Sequence, residues 1–225
     1  MSTIADLRPG MIGFGPIDGA ARWPVWAGQL LLGEGFTVGK LKIEHVFVVT
    51  GIGQATPVYP VPREPFLSIT AVEAMPRGAR EVPIEDRWTP EYAYVQLPED
   101  YPGQSEDAAA IARAMIGTPY SFASYAALAA WRFGMKTPKL EAWIGRRKPM
   151  QNIPGLGLQG QAPTDTVDFG RRLPCEAICS VLADQAWALT GKQVMPDGTP
   201  HQCVTPGALA GHLLELPGAQ WLWPR

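Results

Sequence analysis

Three runs rich in β-branched and aromatic residues fall between positions 42 and 98: KIEHVFVVTG (42–51), LSITAVEAM (67–75) and YAYVQLP (92–98). Connections rich in proline and polar residues separate them, while most of the helix-forming segments follow them. That segregation constrains the chain more than any other feature. Strands in succession and then helices in succession form an α+β pattern.

The remaining elements fit around this order. LRPGMIGFG opens with a Pro-Gly turn and a short strand over 11–14. WPVWAGQLLLG (23–33) reads as a helix with Pro24 in its first turn. Ser105 is the expected N-cap of a helix running through EDAAAIARAMIG and stopping at Gly117. SFASYAALAAWRFG (121–134) and KLEAWIGRR (139–147) read as further helices. Residues 147–172 carry Gly, Pro and polar side chains with no period, and are expected to form a long surface loop beside the site. A helix over 174–191 follows, and TPGALAGHLLEL closes the pattern, with Thr205 as cap and Pro206 in the first helical position. A length of 225 residues suits one domain spanning 1–225.

Composition narrows the function classes. Hydrophobic residues make up 46% of the chain and charged residues 18%, as in ordinary globular proteins. The net charge of −2 and pI of about 5.9 give no basic surface for nucleic acid. The eight tryptophans and six tyrosines are scattered without basic residues between them, which fits packing better than base stacking. The first residues, MSTIADLRPGMIGFG, lack the basic start and apolar run of a signal peptide. No apolar run is long enough for a membrane span. The expected location is therefore cytoplasmic as synthesised, with any association with a virion, or any export, carried by other means.

Three cysteines form no disulfide framework. Two of them, Cys175 and Cys179, lie four apart in PCEAICSVLADQAWALTG. On a helix turning about 100° per residue, Cys175 falls inside the apolar stripe set by Ile178, Leu182 and Leu189, and Cys179 falls on its flank. A reactive thiol needs partial exposure and a positive field, so Cys179 is the candidate nucleophile and Cys175 a core residue. The competing reading makes both small core hydrophobes. Cys175, Cys179, His201 and Cys203 also give C-x3-C…H-x-C. A helical i,i+4 cysteine pair is unusual for structural zinc, so no metal and no cofactor are assigned.

The order of motifs resembles the circularly permuted branch of the NlpC/P60 papain-like cysteine hydrolases, in which the histidine precedes the cysteine. LRPGMIGF matches the opening strand, EHVFVV the histidine strand and VEAMPRGAREVP the following strand and turn. GTPYSF is similar to a Gly-x-x-Tyr segment, CSVLADQAWALTG to the cysteine helix and VTPGALAGHL to the closing helix. Met11 and Val181 stand where the family often has acidic residues. The resemblance implies a permuted papain-like fold, a small antiparallel sheet packed against helices.

The resemblance also implies roles. Cys179 is the nucleophile, and His45, placed opposite the cysteine helix, is general base and then general acid. Glu73 on the next strand is the candidate to hold the imidazole across the sheet, because Glu44 points to the opposite strand face from its neighbour His45. Tyr120 is a candidate oxyanion donor, with packing against the following helix as the competing reading. The implied reaction is thiol hydrolysis of an amide, in a peptide derived from the cell wall (peptidoglycan), through a thioester acyl-enzyme. Permuted relatives also act on lipid acyl esters and in acyl transfer. The alternative from another class is a structural or interaction module on the same fold, in a phage tail or secretion particle.

Overall fold

The strand runs pair edge to edge into one sheet. The computed structural model describes residues 2–17, 37–38, 41–55, 66–101, 104–120, 151–152, 172–173, 178–191, 193–195 and 204–225. In chain order the strands are β1 (Ile12–Gly15), β2 (Thr37–Val38), β3 (Leu41–Lys42), β4 (His45–Ala55), β5 (Phe66–Met75), β6 (Gly78–Pro83), β7 (Ala93–Gln96), β8 (Gln151–Asn152), β9 (Arg172–Leu173) and β10 (Gln220–Leu222). Helices α1 (Ser105–Ala114), α2 (Cys179–Ala188) and α3 (Pro206–Glu215), with short 3₁₀ turns at Ile4–Asp6 and Glu85–Arg87, complete the described elements. Six strands form an antiparallel sheet in the order β10-β7-β1-β4-β5-β6. The class is α+β.

The sheet is covered on both faces, and strand alternation divides its side chains between them. Val46, Val48, Val72 and Ala74 join the larger cluster with Ile111 and Met115 of the α1 region and Cys179, Leu182 and Trp187 of α2. Phe47, Val49, Ala71 and Val82 join a second cluster with Leu7, Met11, Tyr92 and Tyr94. The Trp187 indole N–H donates to the Gly10 carbonyl at 3.1 Å, tying α2 to the start of β1. The outer edge of β6 is paired by the chain after α1. Gly117 N–H donates to Ala79 O, and Ala79 N–H to Thr118 O, both at 2.8 Å, which blunts that edge.

β4 carries a bulge. Val49 pairs with Ala71 and Gly51 with Thr70, leaving Thr50 as the extra residue, with Gly51 at φ +81°. β1 shows why its sequence is Ile-Gly-Phe-Gly. A methyl at Gly13 would overlap the Phe47 ring, and one at Gly15 the Tyr92 ring. Gly13→Ala is therefore expected to lower stability by about 1–3 kcal/mol through overpacking, read as a lower urea midpoint with an unchanged slope. An unchanged midpoint would mean that the Phe47 ring moves aside freely.

Several expected boundaries shift. Ser105 is the first residue of α1 rather than its cap, and Gln104 holds the extended N-cap position. Gly117 takes φ +87° just beyond the helix. α3 starts as expected: Pro206 is the first helical residue, and the Thr205 hydroxyl accepts from Ala208 N–H at 3.1 Å. The 147–172 segment is not loop throughout, since β8 and β9 pair antiparallel with Gln151 opposite Leu173. The helices expected over 23–33, 121–134 and 139–147 lie outside the described residues.

The largest correction concerns the cysteine helix. α2 begins at Cys179, because Ile178 is an extended N-cap at φ −103°, ψ 166°. A continuous helix cannot pass through that residue, so a wheel drawn from Pro174 does not apply. Every side chain from Cys179 to Trp187 is buried, so α2 has no solvent face on whose flank a cysteine could sit. Two of its polar side chains are bonded inside. Ser180 Oγ donates to Val204 O at 2.6 Å, and Asp184 Oδ1 accepts from Val194 and Met195 N–H at 3.1 and 3.2 Å.

Candidate active site

Sheet register brings His45 and Glu73 together. Glu73 lies opposite Phe47, and His45 is two residues before Phe47 on the same face of β4. The His45 Nε2–H donates to Glu73 Oε2 at 2.7 Å, with both residues buried. The carboxylate has two further donors. Arg80 lies directly opposite Glu73 on β6, and its Nε donates to Oε1 at 2.9 Å. Arg87, from the short turn Glu85–Arg87 after β6, donates through Nη2 to Oε2 at 2.6 Å. Its guanidinium also sits 5.8 Å from the centre of the Phe47 ring, a cation–π contact.

Cys179 is the second polar neighbour of the His45 ring, and its thiol and Glu73 both act on the imidazole. His45 and Cys179 are each the first residue of their element, so they meet at one end of the sheet and helix layers. With Nε2–H given to Glu73, the lone pair of the neutral ring lies on Nδ1. That atom is buried and makes no hydrogen bond of standard geometry. Cys179 also sits at the positive end of α2, where the first backbone N–H groups have no intrahelical partner. The first bond within the helix is Leu182 N–H to Ile178 O at 2.9 Å.

The expectation that Cys179 is partly exposed is corrected. It has 0% of its surface exposed and belongs to the larger core cluster. The cause is the helix start described above, which turns the cysteine into the interior. Its comparison with Cys175 has no outcome, because Cys175 lies outside the described residues. Tyr120 is half-buried and packs against the cluster that contains Cys179. His201 and Cys203 also lie outside the described residues. Among those described, no group of three or more His, Cys, Asp or Glu could hold a metal ion. No described helix is long and apolar enough to cross a membrane.

The charges have defined consequences. Burial opposes protonation of His45, but the neighbouring Cys179 thiol and then the Glu73 carboxylate outweigh it and raise the ring to about 9. Burial would raise Glu73, yet the His45 hydrogen bond and the charges of His45, Arg87 and Arg80 hold it well below the usual carboxylate range. The two shifts set the pH dependence of stability. A raised His45 contributes fully below its ordinary 6.5, and that contribution is lost as pH climbs through about 9. A depressed Glu73 contributes fully above its ordinary 4.5 and is lost as pH falls below it. Urea unfolding from about pH 3 to about pH 10 should therefore give the greatest stability between those ordinary values. Stability that still rises from 6.5 to 9 would contradict the pairing.

Sequence reasoning reaches His45, Glu73 and Cys179 but neither arginine. Arg80 was within reach: a turn at PRG in VEAMPRGARE sets Glu73 opposite Arg80 by counting outward. Arg87 carries no such signal, because a three-residue turn aims it. The chain matches no family model, no curated protein and no solved structure.

Proposed function

We propose that this protein is a thiol hydrolase on a permuted papain-like fold, with Cys179 as nucleophile, His45 as base and Glu73 holding the imidazole. One observation carries the reading. A thiol at the first residue of α2 abuts a histidine whose far nitrogen is bonded to a buried carboxylate. The spacing of three polar groups, each on a different element, fits nucleophile, base and orienting group.

In the proposed cycle, His45 Nδ1 takes the thiol proton and the sulfur attacks an acyl carbonyl. Backbone N–H groups at the start of α2 stabilise the oxyanion. Tyr120 is the candidate side-chain donor beside them. The carbon–nitrogen bond breaks, the leaving amine receives the proton from His45, and a thioester remains on Cys179. Water, deprotonated by His45, then releases the acid and restores the thiol. The substrate class proposed is an amide in a cell-wall (peptidoglycan) peptide, and a lipid acyl ester fits the same chemistry. That class comes from the motif resemblance alone.

A second reading rests on the burial of Cys179. A sulfur with 0% exposure is also what a structural module of a phage tail or secretion particle would hold as packing. A panel of peptidoglycan fragments and lipid esters, with peptide mass spectrometry after acid quench, separates the two. The hydrolase reading expects a substrate-derived acyl group on Cys179. Turnover of nothing in the panel, with no acyl adduct, favours the structural module.

A further inference from the structure

Two side chains compete for one oxygen at this site. Glu73 Oε2 accepts from His45 Nε2 at 2.7 Å and from Arg87 Nη2 at 2.6 Å, whereas Arg80 takes the other oxygen at 2.9 Å. We propose that Arg87 is a positioning residue for His45, acting through the Glu73 oxygen that both of them bond. The role rests on reading His45 as the base, but the placement of Arg87 does not.

The geometry distinguishes Arg87 from an ordinary ion-pair partner. An arginine that only neutralised Glu73 would serve as well from Oε1, where Arg80 already stands. Arg87 is also the more buried of the two, with 15% of its side chain exposed against 33% for Arg80. Three restraints fix its guanidinium and backbone: the carboxylate, the Phe47 ring, and the Tyr94 hydroxyl, which donates to Arg87 O at 2.8 Å. A lone carboxylate 2.7 Å from His45 would hold the imidazolium strongly and leave a weak acid for the leaving group. A fixed cation on the same oxygen draws off part of that attraction and holds that oxygen in place.

Among the described residues, the titratable and charged groups facing the ring are Glu73 from β5 and Cys179 from α2. Arg80 from β6 and Arg87 reach it through Glu73, and Tyr92 and Tyr94 border Arg87. The measurement must therefore separate Arg87 from the thiol and from Arg80.

The test is NMR titration of the His45 ring in the full chain carrying Cys179→Ala, so that no thiol titrates beside it. The His45 signal is assigned by its loss in His45→Gln. Arg87→Gln is expected to move the His45 midpoint upward by about one pH unit, a tenfold gain in proton affinity, because a neighbouring cation is lost. Arg80→Gln should move it less than half as far. Arg87→Lys, which keeps the charge, should bring the midpoint back toward the parent value. Equal shifts from the two Gln variants, no shift, or a downward shift in Arg87→Gln would overturn the proposal. If Arg87→Gln does not fold, Arg87→Met decides: a rise of about one unit supports the role, and a midpoint at the parent value refutes it. None of these readouts needs turnover, so a failed substrate panel leaves them intact.

Discussion

Glu73→Ala should cost about 3–5 kcal/mol of stability, the range for removing one partner of a buried ionic cluster. The residue has 0% exposure and three cationic or potentially cationic partners. Removing it leaves Arg87, His45 and the inner end of Arg80 facing one another with no anion between them. Against a total of about 5–15 kcal/mol for a domain, the loss is large, and it should lower the melting temperature by roughly 10 °C. Glu73→Gln should fall between wild type and alanine in both stability and rate. Its single carbonyl oxygen can serve either His45 and Arg87 or Arg80, and either choice turns the amide NH2 toward a donor. Calorimetry of both variants is the check. A loss under about 1 kcal/mol in Glu73→Ala would mean that the like charges relax into water at little cost.

Cys179→Ala should remove hydrolysis by at least about 10⁴-fold while the protein still folds, since the proposed acyl-enzyme forms on the Cys179 sulfur. The sulfur is fully buried in the larger core cluster, so the truncation leaves a small cavity costing about 1–2 kcal/mol. That is far below the cost expected at Glu73, and the contrast separates the two roles: one holds structure and chemistry together, the other carries chemistry. The measurement pairs initial rates on whichever substrate the panel identifies with urea unfolding of the same preparations. A Cys179→Ala protein that cleaves at the wild-type rate would refute the mechanism.

The sheet was legible where its strands are long and marked. HVFVV, SITAVEA and AYV alternate or run apolar between turn residues, and β4, β5 and β7 lie there. β10 was not legible, because three residues, Gln-Trp-Leu, carry no period and are held by main-chain pairing to β7. The start of α2 was misplaced because Pro174 and an i,i+4 cysteine pair imitate a first helical turn, while Ile178 takes an extended conformation that its side chain does not announce. Amphipathicity failed on the same helix. Ser180 and Asp184 fall opposite the apolar stripe of Ile178, Leu182 and Leu189, yet both are buried and satisfied by tertiary bonds. At the site, His45 and Glu73 were reachable because strand alternation fixes which side chains share a face. The opposite holds for Arg87, whose position follows from one short turn and one aromatic ring.

The bond from Trp187 to the Gly10 carbonyl joins residues 177 positions apart. The helix it anchors carries Cys179, and the strand that carries His45 lies beside β1. Pairing of this kind requires every residue from Gly10 to Trp187 to have been synthesised, and contacts so distant in sequence form slowly. A ribosome-bound fragment ending before α2 would hold the strand residues of the site but no nucleophile. Any thiol-dependent activity therefore waits until α2 has been made and has packed beside β1.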